Sequence, residues 1–275
     1  MLRIGSHVSM SAPDYLLGSV RESLENNASA MMIYTGAPQN SVRIPIEKLK
    51  VEEARQLWLS SGFDMESVII HAPYIINLAN LDNPDTRKGS MEILEREIHR
   101  SKAIGARYLV LHPGAHLKAD EGAALKAVGE ALNELIEDDQ LIVCLETMAG
   151  KGSEIGRNFQ QIREIMDNCQ HRLEVCLDSC HVNDAGYDLG DVDGMLKEFD
   201  GIIGLDRLHV IHVNDSKNPI GAHKDRHANI GQGTIGLEKL RNLVHHQLLE
   251  DRIFILETPY VDGKSPYKQE IEMLR

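Results

Sequence analysis

Eight short runs rich in β-branched and apolar residues recur along this 275-residue chain: LRIGSHV, AMMIYTG, SVIIHAP, RYLVLHPG, LIVCLETM, LEVCLDSCH, LHVIHVND and RIFILETP. Their starts lie roughly 30 to 45 residues apart, the length of one strand, one helix and two short connections. The intervening segments carry helical signals. In ADEGAALKAVGEALNELIED, Leu125, Val128, Leu132, Leu135 and Ile136 form one apolar stripe, with Asp120 placed as an N-cap. FQQIREIM puts Phe159, Ile162, Ile165 and Met166 on a similar stripe, and PDTRKGSMEILEREIHRSKAIGA opens on proline and closes with Gly105 at a C-cap. Continuous apolar strands alternating with helices imply a parallel sheet covered by helices. Eight such units at this length close a (β/α)8 TIM barrel. An open doubly wound sheet is the rival, but it usually brings a glycine-rich first turn, and GSHVSM is not one. The expected fold is therefore α/β, a single barrel domain over residues 1–275.

With 42% hydrophobic and 26% charged residues the composition is that of an ordinary globular protein able to bury a large core. No apolar run approaches the roughly 18–20 residues of a membrane span, and MLRIGSHVSM has no signal-peptide core. Cys144, Cys169, Cys176 and Cys180 form no CxxC pair and no disulfide-like framework, which points to a reducing, cytoplasmic setting. The formal charge of −13 argues against broad attraction to nucleic acid or anionic lipid.

The ends of the strands carry the chemistry. His71, His112, Glu146, Asp178 (with His181 just beyond), His212 and Glu257 close strands three to eight, and in a barrel those ends surround one mouth. The loop HVNDSKNPIGAHKDRH after strand seven adds Asp225 and His227. Singly, each residue is as well explained by a hydrogen bond, a helix cap or solvent. Nine imidazoles and carboxylates on one rim, however, would repel or need desolvating unless positive charge sat among them. Imidazole plus carboxylate suits zinc or manganese, and nine ligands suit two or three ions, particularly if one carboxylate bridges. His7 is placed to donate a hydrogen bond behind the ligands. Cys180 is expected to be a small buried residue. His99, His116, His171, His209, His223, His245 and His246 are read as structural or solvated.

Neighbouring divalent ions clamp a phosphoryl group, activate water and neutralise a leaving oxygen, so phosphate-ester hydrolysis is the natural reaction. Sugar isomerases and epimerases of the same barrel type are the alternative. The ligand count favours the phosphoesterase.

The motifs GSHVSM, YTGAPQN, HAPYIINLAN, LHPG, LETMAGKGSEIG, LDSCH followed by AGYD, HVNDSK, KDRHANIGQGTIG and ILETP, in this order, resemble the endonuclease IV family of apurinic/apyrimidinic endonucleases from strand one to strand eight. The resemblance implies a trinuclear site of three Zn2+, with Mn2+ or Fe possible at some positions. His71 and His112 would hold the first ion, Glu146 would bridge it to a second held by Asp178, His212 and Glu257, and His181, Asp225 and His227 would hold the third. Glu146, Asp178 and Glu257 are the implied catalytic set, the last two positioning or deprotonating the attacking water. The implied substrate is double-stranded DNA, cut 5′ to an abasic site to leave a 3′-hydroxyl, with blocked 3′ ends also trimmed.

Tyr74 and Ile75 match family positions that enter the base stack. In the loop YTGAPQNSVRIP, Arg43 is the only cation and is expected to be the inserted residue. Lys217, Lys224 and Arg226 are the expected phosphate contacts. Three Zn2+ carry +6, which takes −13 to −7 and places that positive charge at the rim. A monomer with no membrane association is the default expectation; a damage-binding protein without turnover is disfavoured by the complete ligand set. Two departures from the family pattern stand out. Asp184 replaces a small residue near the third ion, where it either hinders DNA or adds a hydrogen bond, and the helix after strand eight is short.

Overall fold

The computed structural model describes residues 2–275. Eight parallel strands close a barrel: β1 (Arg3–His7), β2 (Ala30–Ile33), β3 (Val68–His71), β4 (Tyr108–Leu111), β5 (Ile142–Glu146), β6 (Leu173–Asp178), β7 (Leu208–His212) and, after a two-residue antiparallel pair β8 (Asp215–Ser216) and β9 (His227–Ala228), β10 (Ile253–Leu256). The order around the barrel is β1-β10-β7-β6-β5-β4-β3-β2. All eight expected strands are present, each within its predicted run.

Helices follow the strands: α1 (Tyr15–Glu25), α2 (Val51–Ser60), α3 (Pro84–Ile104), α4 (Glu121–Leu135), α5 (Phe159–Asp167), α6 (Ser179–Ala185), α7 (Val192–Ile202), α8 (Leu237–Val244) and α9 (Tyr267–Leu274). The caps form as the sequence suggests. The Asp120 carboxylate accepts from Ala123 N at 2.9 Å, and Gly105 ends α3 with φ +85°. Of the two apolar stripes, Leu125, Val128, Leu132, Phe159, Ile162 and Ile165 are buried, while Leu135 and Met166 lie at the margin.

Strand residues alternate between two apolar layers. Ile4, Val68, Ile70, Val143, Leu177 and Phe254 pack outward against the helices with Trp58, Phe159 and Phe199. Met32, Ile69, Val110, Cys144, Cys176, Val210 and Ile255 fill the barrel itself. Gly5 is required by close strand approach: a Cβ there would lie 1.7 Å from the Ala30 carbonyl oxygen across the β1–β2 seam. At the N-terminal end of the barrel, the buried Glu174 carboxylate meets Arg172 Nε at 2.8 Å and His209 Nδ1 at 2.6 Å, and Tyr108 stacks on His209. His209 is thus structural, as expected. Among the described residues, no helix is long and apolar enough to cross a membrane.

Candidate metal centre

The C-terminal mouth of the barrel gathers all nine predicted ligands. Glu146, the last residue of β5, stands at the centre: Oε2 lies 3.1 Å from both His71 Nε2 and His112 Nε2, and Oε1 lies 3.2 Å from His212 Nδ1. His212 Nδ1 also faces Glu257 Oε2 at 2.9 Å and Asp178 Oδ2 at 3.8 Å. On the third side, Asp225 Oδ1 is 3.2 Å from His181 Nε2 and 3.6 Å from His227 Nε2, and His227 Nε2 is 3.7 Å from Asp178 Oδ2. Among the described residues five groups have ligand atoms within 4.8 Å of one another. Two include a cysteine (Glu146, Cys176 and His212; Cys180, Asp225 and His227), and the other three are His71, His112 and Glu146; Glu146, Asp178, His212 and Glu257; and Asp178, His181 and His227. Of these three, Glu146 belongs to the first two and Asp178 to the last two.

Backbone carbonyls orient the imidazoles. His71 Nδ1–H donates to Ala72 O at 2.7 Å, and His181 Nδ1–H to Thr147 O at 2.8 Å, so Nε2 of each ring is turned toward the carboxylates of the mouth. Asp178 is the N-cap of α6: Oδ1 accepts from His181 N at 2.8 Å, which ties the two ligands to one turn. Asn214, to which sequence reasoning gave no role, holds the second group together. Its amide donates to Asp178 Oδ2 at 2.7 Å and its carbonyl accepts from Glu257 N at 2.8 Å. The only signal for it was a polar residue just past the end of β7, too common a pattern to single out.

Burial alone would depress the His181 and His212 imidazoles. The carboxylates of Asp178, Asp225 and Glu146 around the first, and Cys176, Glu257 and Glu146 around the second, hold both well above the ordinary range. Burial also works against ionisation of Glu146 and Glu257, yet the surrounding imidazoles hold both carboxyls below theirs. The site thus interleaves ionised carboxylates with imidazoles whose protons a divalent cation would displace on binding. Nor are they all satisfied by one another: His227 Nε2 is buried with no hydrogen-bond partner while aimed between two carboxylates. A cation in that gap removes the orphan, so the residues fit the implied metals.

The remaining expectations divide. His7 lies behind the ligands through Tyr34, whose ring contacts those of His7 and His71 at 5.0 Å centroid spacing; among the described residues it makes no hydrogen bond to a ligand. Cys180 is fully buried, as expected, though its sulfur is within reach of Asp225 and His227. Cys176, unassigned by the sequence, lies beneath Glu146 and His212. Tyr74 and Ile75 are exposed beyond β3, and Lys217, Lys224 and Arg226 are exposed and, among the described residues, form no ion pair. Arg43 corrects the sequence reading. Its side chain is only 5% exposed and its Nε donates to Glu97 Oε1 at 2.6 Å, so it is folded inward and not presented to a groove. Asp184 is likewise no free carboxylate: it is buried and accepts hydrogen bonds from Ser216, Asn218 and Asp225 N.

A parallel barrel with imidazoles and carboxylates clustered at its C-terminal mouth defines a class, the Xylose isomerase-like TIM barrel, whose family description matches residues 20–275. Within that class the relatives are specific. The chain is 51% identical to a probable endonuclease 4 of Geobacillus sp. (strain WCH70), over 100% of this chain and 95% of that protein. The crystal structure of endonuclease IV from Thermus thermophilus superposes with a TM-score of 0.86 at 30% identity, covering 98% of this chain and 97% of that one. A D-tagatose 3-epimerase-like protein shares the fold at 21% identity, with a TM-score of 0.72 and coverage of 98% and 95%. The chain belongs to the endonuclease IV family.

Proposed function

We propose that this chain is a metal-dependent endonuclease that cuts the phosphodiester 5′ to abasic sites in double-stranded DNA, leaves a 3′-hydroxyl and also trims blocked 3′ ends. The observation that carries this reading is the linked ligand set, in which Glu146 and Asp178 each belong to two of the three cysteine-free groups. Such bridging suits a trinuclear site, and the donor chemistry suits three Zn2+, with Mn2+ or Fe acceptable at some positions. His71, His112 and Glu146 would hold one ion, Glu146, Asp178, His212 and Glu257 the second, and His181, Asp225 and His227 the third. Bound there, divalent ions supply Lewis acidity toward the phosphodiester and charge neutralisation for its leaving oxygen.

The chain's own groups divide the remaining work. Glu146 and Asp178 are buried completely, whereas the Glu257 side chain keeps 16% of its surface open at the mouth. Glu257 is therefore the carboxylate of the second group that an entering water can meet, and Asn214 fixes its backbone. It orients that water and takes its proton, with Asp178 holding the opposite side. His112, Asp225 and His227 are partly exposed and mark the open face toward substrate. Around it, Tyr74 and Ile75 serve as wedges for the gap left by a missing base, and Lys217, Lys224 and Arg226 as phosphate contacts. The four free thiols accord with a reducing compartment, the cytoplasm. The protein acts as a monomer.

The testing experiment is incision of a duplex carrying one stable abasic analogue, with end-group analysis and a parallel metal-stripped sample. One metal-dependent cut 5′ to the lesion with a 3′-hydroxyl supports the reading. No cut by folded protein with full metal sites would transfer it to sugar isomerisation, for which the epimerase-like fold match is the present support.

A further inference from the structure

The motif NIGQGTIG, residues 229–236, supplies no ligand, yet two buried carboxylates from distant parts of the chain are committed to it. Asp215, on β8, is one. Its Oδ1 accepts from Ser216 N at 2.8 Å and Ile235 N at 3.0 Å, and its Oδ2 from Gly231 N and Gly233 N, both at 3.0 Å. Gly236 N, just before α8, approaches both oxygens at 3.3 Å. The wrapping requires Gly233, since a Cβ there would stand 2.3 Å from Ser216 O and 2.4 Å from Asp215 Oδ1.

Glu270, on the short final helix α9, grips the same segment from the other side. Its Oε1 accepts from Asn229 Nδ2 at 2.9 Å and Ile230 N at 3.0 Å, and its Oε2 accepts from Thr258 Oγ1. Among the described residues neither Asp215 nor Glu270 forms an ion pair. A buried carboxylate compensated only by neutral donors is tolerated while those donors stay in place. Each carboxylate therefore fixes the backbone wrapped around it.

The segment joins two pieces of the mouth. In the β8–β9 pair, Ser216 stands opposite His227 and Asp215 opposite Ala228, so folding residues 229–236 over Asp215 fixes the strand that carries His227. Thr258 directly follows Glu257, so its bond to Glu270 fixes the end of β10. The two pieces meet: His227 Nδ1–H donates to Glu257 O at 3.4 Å, while Nε2 of the same ring faces Asp178 and Asp225. The Glu257 main chain thus orients an imidazole assigned to the third ion, and the Glu257 carboxylate faces the second group.

We propose that residues 229–236 are a brace, held by Asp215 and Glu270 as positioning residues, that sets His227 and Glu257 and thereby the affinity of the third ion. The proposal rests on the metal-dependent nuclease reading above, but zinc itself reads it out. Hydrogen-bond partners behind a metal ligand typically govern about 10- to 100-fold in metal affinity or activity. The substitutions differ in a way the geometry dictates. In Asp215→Asn one oxygen becomes an NH2, so either Ser216 N and Ile235 N or Gly231 N and Gly233 N face a donor. In Glu270→Gln the NH2 can replace Oε2 and donate to Thr258 Oγ1, leaving Oε1 to accept as before. Glu270→Leu removes every contact.

The test is zinc titration of the purified chain against a chromogenic chelator, with Tm and kcat for abasic-duplex incision recorded for each variant. Asp215→Asn and Glu270→Leu are each expected to weaken one of three zinc equivalents at least about tenfold, with the other two unchanged and Glu270→Gln close to wild type. Glu270→Leu, which also releases the strand end behind Glu257, is expected to lower kcat at saturating Zn2+ at least about tenfold. Thr258→Val removes a single hydroxyl and carries the test if the larger changes do not fold; the same equivalent should weaken about threefold or more. Glu174→Gln on the barrel floor is the control, lowering Tm with zinc affinity unchanged. Folded Asp215→Asn or Thr258→Val with wild-type zinc affinities and only a lower Tm overturns the proposal. So does a loss spread equally over all three equivalents, or a Glu270→Gln as damaged as Glu270→Leu. A wild-type chain that holds fewer than three equivalents brings down the third ion and the brace together. One that holds three but leaves the duplex whole brings down the nuclease reading, while the zinc titration still decides the brace.

Discussion

The backbone N–H of Asp225 donates to the buried carboxylate of Asp184 at 3.0 Å. Asp225 sits at φ +53°, a conformation that costs a non-glycine residue energy, and His223 beside it sits at φ +53° with its N–H on Asp184 O at 2.9 Å. Ser216 Oγ and Asn218 Nδ2 donate to the same carboxylate at 2.6 and 2.9 Å. Asp184 is therefore the clamp that holds Asp225, the proposed ligand of the third ion, in place.

Every partner of that carboxylate is a donor, so Asp184→Asn would set an amide NH2 against donors. Leaving buried donors unsatisfied costs about 1–3 kcal/mol each. We expect the variant to fold with a reduced Tm and to retain about one metal equivalent fewer per chain after dialysis, by elemental analysis. Full metal content would show that the clamp does not govern the third group.

Glu257→Gln keeps the shape of the side chain and its contact with His212 but removes the proton acceptor open to the mouth. Near-wild-type folding and DNA binding are expected, with incision slowed by a factor on the order of 10^3 or more. Near-normal turnover would remove Glu257 from the role of base.

Stripping metal should cost stability as well as activity. A site-bound ligand present at about 1,000 times its Kd stabilises the fold by about 4 kcal/mol, and 1 kcal/mol moves Tm by about 2–4 °C in a chain of this size. Chelation is therefore expected to lower Tm by about 10 °C or more, reversed by Zn2+. An unchanged Tm in calorimetry would mean that the rim holds no tight ions.

The barrel floor predicts a pH effect. Burial opposes ionisation of Glu174, but His209 and Arg172 outweigh it and hold the folded carboxyl below its ordinary value of 4.5. A depressed folded pKa contributes stability that is present above the unfolded value and lost as pH falls through the folded one. Glu174→Gln should lower Tm at neutral pH and flatten its decline below about pH 4.5. A decline as steep as in the wild type would assign the acid sensitivity to other carboxylates.

Much of this protein was determined by local pattern. Strand periodicity, helix stripes and caps such as Asp120 and Gly105 act over a few residues, so they can be read along the chain. Parallel topology then places every C-terminal strand end on one rim, and that is why His71, His112, Glu146, Asp178, His212 and Glu257 could be chosen before any geometry was known. Tertiary structure decided what depends on partners remote in the chain. Arg43 reads as a free loop cation until Glu97, 54 positions away, draws it inward. Asp184 reads as surplus charge until Asp225, 41 positions on, donates to it. Asn214 gains its role only by standing between Asp178 and Glu257. The direction of a loop side chain is set by whichever buried partner best satisfies its charge and hydrogen bonds, and no local periodicity encodes that choice.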